Sequence, residues 1–178
     1  MQTPPSSNGS FTETIVAFLR DNQSLADPFV FILGFAEGVP VVSLLVPSSA
    51  LFVAVGSMQG AFGGNFVSLW LSATAGAILG DLVTYGIGRY FKDDAQRIWP
   101  LSRRPELLIK GRSIIDRWGI LAILGGKFLG FMRPFLPITA GVMEMNFVVF
   151  CMASVLSSLV WSGVFLAPGF GLGQFAGP

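Results

Sequence analysis

The sequence predicts an all-α membrane protein: an inverted repeat of two re-entrant helical hairpins, each followed by a transmembrane helix, with an N-terminal amphipathic helix lying at the membrane interface. Three observations lead there. Apolar residues make up 52% of the 178 positions and charged ones 12%, with 17 Phe and 4 Trp, a composition suited to lipid solvation; mean hydropathy is +0.68. The apolar segments come in two lengths, one fit for a single crossing of about 20 helical residues and one too long for one crossing yet too short for two. Their order, hairpin, span, linker, hairpin, span, is itself a repeat.

Residues 1–26 read as a tail and a short helix. "MQTPPSSNGS" has no basic region ahead of an apolar core and is expected to be a tail, not a signal peptide. In "SFTETIVAFLRDNQ", Ser10 and Glu13 form a capping box, and Phe11, Ile15, Phe18 and Leu19 share one side. Such a helix lies at the interface or packs on the rest of the protein. Residues 27–178 form one membrane domain. Its first segment, 27–60, is interrupted by Glu37, Pro40 and Pro47, and the matching 118–143 by Lys127, Arg133, Pro134 and Pro137. Both read as re-entrant hairpins, because irregular backbone at membrane depth needs protein or a wet cavity to satisfy its polar groups. Residues 65–91 and 146–174 are each long enough to cross once.

The halves align. Glu37 precedes Pro47 as Lys127 precedes Pro137, Gly56-Ser57-Met58 pairs with Gly141-Val142-Met143, "NFV" opens both spans at Asn65 and Asn146, and "YGIGR" and "FGLGQ" close them. Between them the linker, 92–117, lies in a run from Arg89 to Arg117 that holds eight of the eleven Lys and Arg residues. The positive-inside rule makes it cytoplasmic, so the hairpins dip in from opposite faces; a solvated amphipathic linker on an anionic leaflet accounts for its charge without any catalytic role.

Within the spans, Gly76, Gly80, Thr84 and Gly88 form a small-residue row, as do Ser154, Ser158 and Ser162, which lets helices approach closely. Asp81, beside that row, needs a partner or a wet cavity, since a lone carboxylate there is costly. The same holds for Glu37, Lys127 and Arg133. The chain has no histidine and a single cysteine, Cys151, read as packing filler; neither a metal site nor a cofactor is expected. A net charge of +1 gives no reason to expect nucleic-acid binding.

"EGVPVVSLLVPSSALFVAVG", "GAILGDLVTYGIGR" and "KFLGFMRPFLPITAGVMEM" resemble the three signature blocks of the DedA family of bacterial membrane proteins, also called the SNARE-associated or VTT domain family. The resemblance implies two opposed re-entrant hairpins, a multi-pass protein of the bacterial inner (cytoplasmic) membrane, and lipid translocation between leaflets, with recycling of undecaprenyl phosphate and coupling to the proton-motive force in bacterial members. Position by position, Glu37 matches the family's membrane acid, Arg133 its second arginine, and Gly80, Asp81, Tyr85, Gly88 and Arg89 its span motif. Lys127 stands where the family has arginine, keeping the charge and losing the planar fork. Ser49 stands where it has a second acid.

The expected function is therefore a flippase or scramblase for an anionic lipid phosphate. Lys127 and Arg133 receive the headgroup; Glu37 and Asp81 hold the cations when the site is empty and are the candidate proton sites. Pro47, Ser49, Gly80, Tyr85, Gly88, Arg89, Pro137 and Gly141 support the site. Partners are a polyprenyl phosphate or phospholipid, protons, and a second copy of the chain. The alternatives are a proton- or ion-coupled exporter of small molecules and a static ion-pair cluster. The interval from Lys127 to Arg133-Pro134 is similar to a block of the phosphatidic-acid phosphatase superfamily. Its spacing is one residue short, and without histidine the chain lacks that mechanism's nucleophile and acid, so no catalytic residue is assigned and no enzyme is expected. Some DedA relatives carry such a phosphatase as a second domain, and the ending "APGFGLGQFAGP" is a candidate truncation point for one.

Overall fold

The computed structural model describes residues 7–40, 48–92, 105–128 and 133–176. They form α1 (Ser7–Asp21), a 3-10 turn (Gln23–Leu25), α2 (Ala26–Gly38), α3 (Ser48–Ala61), α4 (Phe66–Phe91), α5 (Pro105–Trp118), α6 (Ile120–Gly126), α7 (Phe135–Val142) and α8 (Phe147–Ala176), with no strand among the described residues. Two stretches, Phe66–Phe91 and Phe147–Phe175, are long and apolar enough to cross a membrane, at mean hydropathies of 1.6 and 2.0.

These two helices begin alike. The Asn65 side chain accepts from the Val67 and Ser68 amides at 2.9 and 3.2 Å, and Asn146 accepts from Val148 and Val149 at the same distances. Each asparagine thus caps two of the amide donors that a helix start leaves unpaired. The corners before them match as well. Gly63 (φ 72°) and Glu144 (φ 53°) both take left-handed backbone, and the next amides, Gly64 and Met145, reach back to the carbonyls of Gln59 and Ala140, as in a Schellman C-cap. Structurally, then, Gly60-Ala61-Phe62 is the counterpart of Gly141-Val142-Met143, one helical turn beyond the pairing read from the sequence.

Glycines set the packing. A Cβ at Gly76 would fall on the Phe31 carbonyl and one at Gly80 on that of Phe35, while Gly38 rests on Gly80. The matched positions advance together, so α2 runs alongside α4 in the same direction. Val53 with Gly169 and Ser57 with Gly173 do the same for α3 and α8. Gly88 meets the Ile138 carbonyl and Gly141 that of Tyr85, joining α7 to α4, and α6 packs on α8. At 1.5 Å per residue α2 and α3 are each about 20 Å long, short of a hydrocarbon core of about 30 Å. Core side chains from both halves fill the spaces between them, with Leu51, Phe52, Leu69, Trp161 and Leu166 in one cluster and Tyr85, Ile123, Leu136 and Phe150 in another. Outward, α4 exposes Val67, Leu71, Leu79 and Val83, and α8 exposes Val148, Met152, Leu156, Val160 and Val164. Such continuous apolar rows suit lipid better than water.

Four expectations change. First, α1 starts at Ser7, so Ser10 lies inside the helix and not at its cap; and α1 buries Leu19, with Ile15 and Val16, in the core cluster around Leu51 and Phe52, leaving Phe18 exposed. This side of α1 thus packs on the protein, the second of the two placements its amphipathic pattern allows. Second, the part of the linker that is described is α5, which buries Leu107 and Leu108 against Phe135, Ile138 and Val142. It is a cover for α7, with Lys110, Arg112 and Arg117 on its exposed side. Third, Pro137 sits in the first turn of α7, where the missing amide costs no helical bond, so it does not interrupt a helix; α6 ends before it, at Gly126, and α7 begins at Phe135. Pro47 lies outside the described residues. Fourth, Ser49 is exposed on the first turn of α3; its neighbour Ser48 is the buried one.

Candidate functional site: a buried charge cluster

Asp81 is on α4, about 15 Å from the Phe91 end at 1.5 Å per residue, which is half a hydrocarbon core. Lys127, just past the end of α6, reaches it: Lys127 Nζ donates to Asp81 Oδ2 at 2.6 Å. Ser154 on α8 donates to the same oxygen at 2.6 Å. A second pair lies beside the first, because Gly38, next to Glu37, packs on Gly80 and Asp81. There Arg133, two residues before α7, pairs through Nη1 with Glu37 Oε2, and Ser48, the first residue of α3, donates to Glu37 Oε1. That contact puts the carboxylate at the positive end of α3. The four charged residues are at least nine-tenths buried. Two acids and two bases cancel, which offsets part of the several kcal/mol that each buried ion costs.

The pairing of Arg133 is incomplete. Nη1 is taken by Glu37, but Nε and Nη2 are buried with no hydrogen-bond partner among the described residues. Those two N–H groups lie on one edge of the planar guanidinium and point the same way, an arrangement that matches two oxygens of one phosphate or carboxylate. Trp161 of α8 supports the flat side of the group, its ring centre 3.7 Å from Arg133 Cζ, and Phe52 meets Trp161 edge-on at 5.0 Å. A cation over an indole face, out of water, is held by about 2 kcal/mol.

The sequence-derived residues thus divide. Glu37, Asp81, Lys127 and Arg133 come together, and Gly80 sits under them. Gly88, Tyr85, Arg89 and Gly141 do not join them; they build the α4–α7 corner. Tyr85 donates to the Met145 carbonyl at 2.5 Å, stacks on Phe150 at 4.4 Å and receives Arg89 Nη1 at 3.0 Å. Sequence reasoning missed Ser48, Ser154 and Trp161. Two signals were present: a row of serines facing a span with an acid, where a hydroxyl does more than make room, and a tryptophan about 21 Å along α8, far from the interfacial belts where that residue usually sits.

The VTT domain family profile matches residues 46–171. Among curated relatives, the uncharacterized membrane protein BU139 of Buchnera aphidicola is 33% identical over 79% of this chain and 55% of its own length. Inner membrane protein YabI of Escherichia coli is 27% identical over 79% and 55%, and inner membrane protein YghB of the same organism 28% identical over 90% and 78%. The chain spans about half the length of the first two. No solved structure matches. With a profile match over most of its length and an ion-paired cluster between glycine-packed helices, the chain belongs to the VTT domain (DedA) family of membrane proteins.

Proposed function

We propose that this domain moves an anionic lipid phosphate, most simply undecaprenyl phosphate, between the leaflets of the bacterial inner membrane, acting as a flippase or scramblase and performing no covalent chemistry. The observation that carries the reading is the open edge of the buried Arg133. A guanidinium with two parallel N–H groups unpaired in a dry setting is poised for a phosphate, and Lys127 supplies a second cation nearby. In this reading the headgroup binds the open edge of Arg133 while Glu37 stays on Nη1, and a proton taken up by Glu37 or Asp81 offsets part of the added negative charge; that is how the proton-motive force enters.

The reading also takes the chain as an inverted repeat. In its support, α2 with α4 is mirrored by α6 with α8, α3 with α8 by α7 with α4, and the two capped corners match bond for bond. Each hairpin would then enter and leave at one face, and the site would open to either side by rocking one half against the other. Partner assignments belong to the same proposal: a membrane lipid as substrate, protons, a second copy of the chain, and a lipid phosphatase domain in a longer protein. The two carboxylates equally favour one other reading, a proton-coupled exporter of small molecules.

Reconstitution separates them. Liposomes with purified protein should translocate labelled undecaprenyl phosphate, Arg133→Ala should abolish it at equal protein content, and a pH gradient should change the rate or the final distribution. Proton flux driven by a small solute, with no lipid movement, would establish the exporter instead.

A further inference from the structure

Ser158 is fully buried on α8, and its hydroxyl has no hydrogen-bond partner among the described residues. This is unusual for a helical serine, which ordinarily donates to the carbonyl one turn back. Here the Ser154 carbonyl already accepts from the Ser157 hydroxyl at 3.1 Å. The next serine in the row behaves otherwise: Ser162 bonds the Ser158 carbonyl at 2.8 Å and contacts Thr74 Oγ1 at 2.8 Å. Ser158 alone of the three row members is left open.

Its position explains what the hydroxyl faces. One turn before it, Ser154 holds Asp81 and through it Lys127; three residues after it, Trp161 carries the Arg133 guanidinium. Positions three and four apart share a helix face, so Ser158 lies between the two ion pairs on the side of α8 that touches both. Seven residues of helix, about 10 Å, separate Ser154 from Trp161, enough to seat a phosphate group between them. Among the described residues, the buried side-chain polar atoms without a hydrogen-bond partner are Glu37 Oε2, which the ion pair to Arg133 Nη1 neutralises, and three that donate or are able to: Arg133 Nε, Arg133 Nη2 and Ser158 Oγ.

We infer that Ser158 is the third donor of an oxyanion subsite, in which the Arg133 edge holds two oxygens of a phosphate monoester and the Ser158 hydroxyl holds the remaining one. The inference rests on the headgroup reading above and extends it to specificity. A terminal monoester offers three oxygens free of ester bonds, whereas a diester headgroup offers two. Ser158 therefore distinguishes polyprenyl phosphates and phosphatidic acid from ordinary diester phospholipids. Trp161 acts as a positioning residue, keeping the open edge of Arg133 turned toward that hydroxyl.

The test uses the protein in proteoliposomes with two labelled probes, phosphatidic acid and phosphatidylglycerol. Ser158→Ala removes one oxygen atom from a tightly packed position, so it should keep its thermal midpoint in detergent. It should raise the half-saturating concentration of phosphatidic acid tenfold or more and leave phosphatidylglycerol transport unchanged. Ser162→Ala is the control: its bonds tie helices together, so it should lower the thermal midpoint without changing probe preference. Ser158→Cys, a weaker donor, should fall between serine and alanine. If Ser158→Ala transports phosphatidic acid as wild type does while Arg133→Ala is inactive, the subsite is refuted and the headgroup reading stands. If Arg133→Ala also transports normally, both fall. An equal loss for both probes would overturn the specificity role.

Discussion

Asp81 accepts from both Lys127 and Ser154 at 2.6 Å, and its charge is what makes a buried lysine tolerable. Asp81→Asn would strand that lysine in a dry interior, so we predict destabilisation of about 3–5 kcal/mol, seen as a lower thermal midpoint in detergent. Adding Lys127→Met should recover most of the stability and none of the transport; a double variant no more stable than the single one would refute the pair. That Asp81, Glu37, Lys127 and Arg133 need partners was legible in the sequence, because a charge inside an apolar run is costly alone. Which acid meets which base was not. Pairing depends on rotamers and on the one-turn shift at the corners, and neither leaves a trace in residue spacing. Ser49 and Ser48 show the same limit: one residue along a helix turns a side chain by about 100°, and the buried hydroxyl belongs to the residue that the family pattern did not mark.

The helices meet backbone to backbone, so their stability depends on residues with no side chain. Gly76 lies against the Phe31 carbonyl, where a Cβ has no room, while Gly86 faces open space. Gly76→Ala should lower the thermal midpoint and the amount of folded protein. Gly86→Ala should be neutral or raise the midpoint, by the roughly 1 kcal/mol of helix propensity that alanine has over glycine. Equal effects would contradict the packing of α2 on α4. The small-residue rows and both long helices could be read from the sequence because they depend on period and length alone. The cover that α5 provides over α7 could not, since its charges dominate the pattern and its few apolar residues declare a partner only in three dimensions.

The end of α4 also meets the corner before α8, where Lys92 Nζ is 2.7 Å from Glu144. Lys92, by hydrogen bond and charge, holds the Glu144 carboxyl below its ordinary range, and Arg89 adds to this. A lowered carboxyl contributes its stability above the ordinary carboxylate range and loses it as pH falls through the lowered value, so this tie weakens only in acid. Both side chains are about half exposed, and the tie is correspondingly weak. Lys92→Ala should move the Glu144 titration, followed by carboxyl carbon NMR, upward toward its ordinary value; an unmoved titration would show that the pair does not persist.

At the scale of the whole molecule, hairpins that enter and leave at one face differ from crossing helices in where their ends emerge. Single cysteines at Asn22 and Gly63, flanking the first hairpin in a Cys151→Ser background, should both react with an impermeant thiol reagent from one side of the membrane. A cysteine at Lys110 should react only from the other. Labelling of Asn22 and Gly63 positions from opposite sides would mean that the first hairpin crosses. The central claim, that a lipid phosphate reaches the buried charges, is tested most directly by a distance between nuclei. Solid-state NMR of the protein with nitrogen-labelled arginine, in bilayers containing undecaprenyl phosphate, measures how phosphorus attenuates the guanidinium signals, with the Arg133 signal identified by its loss in Arg133→Lys. A bidentate contact puts the phosphorus within about 4 Å of Nε and Nη2, so strong attenuation at Arg133 is predicted. An Arg133 signal untouched by phosphorus, in samples that still translocate the lipid, would contradict the account.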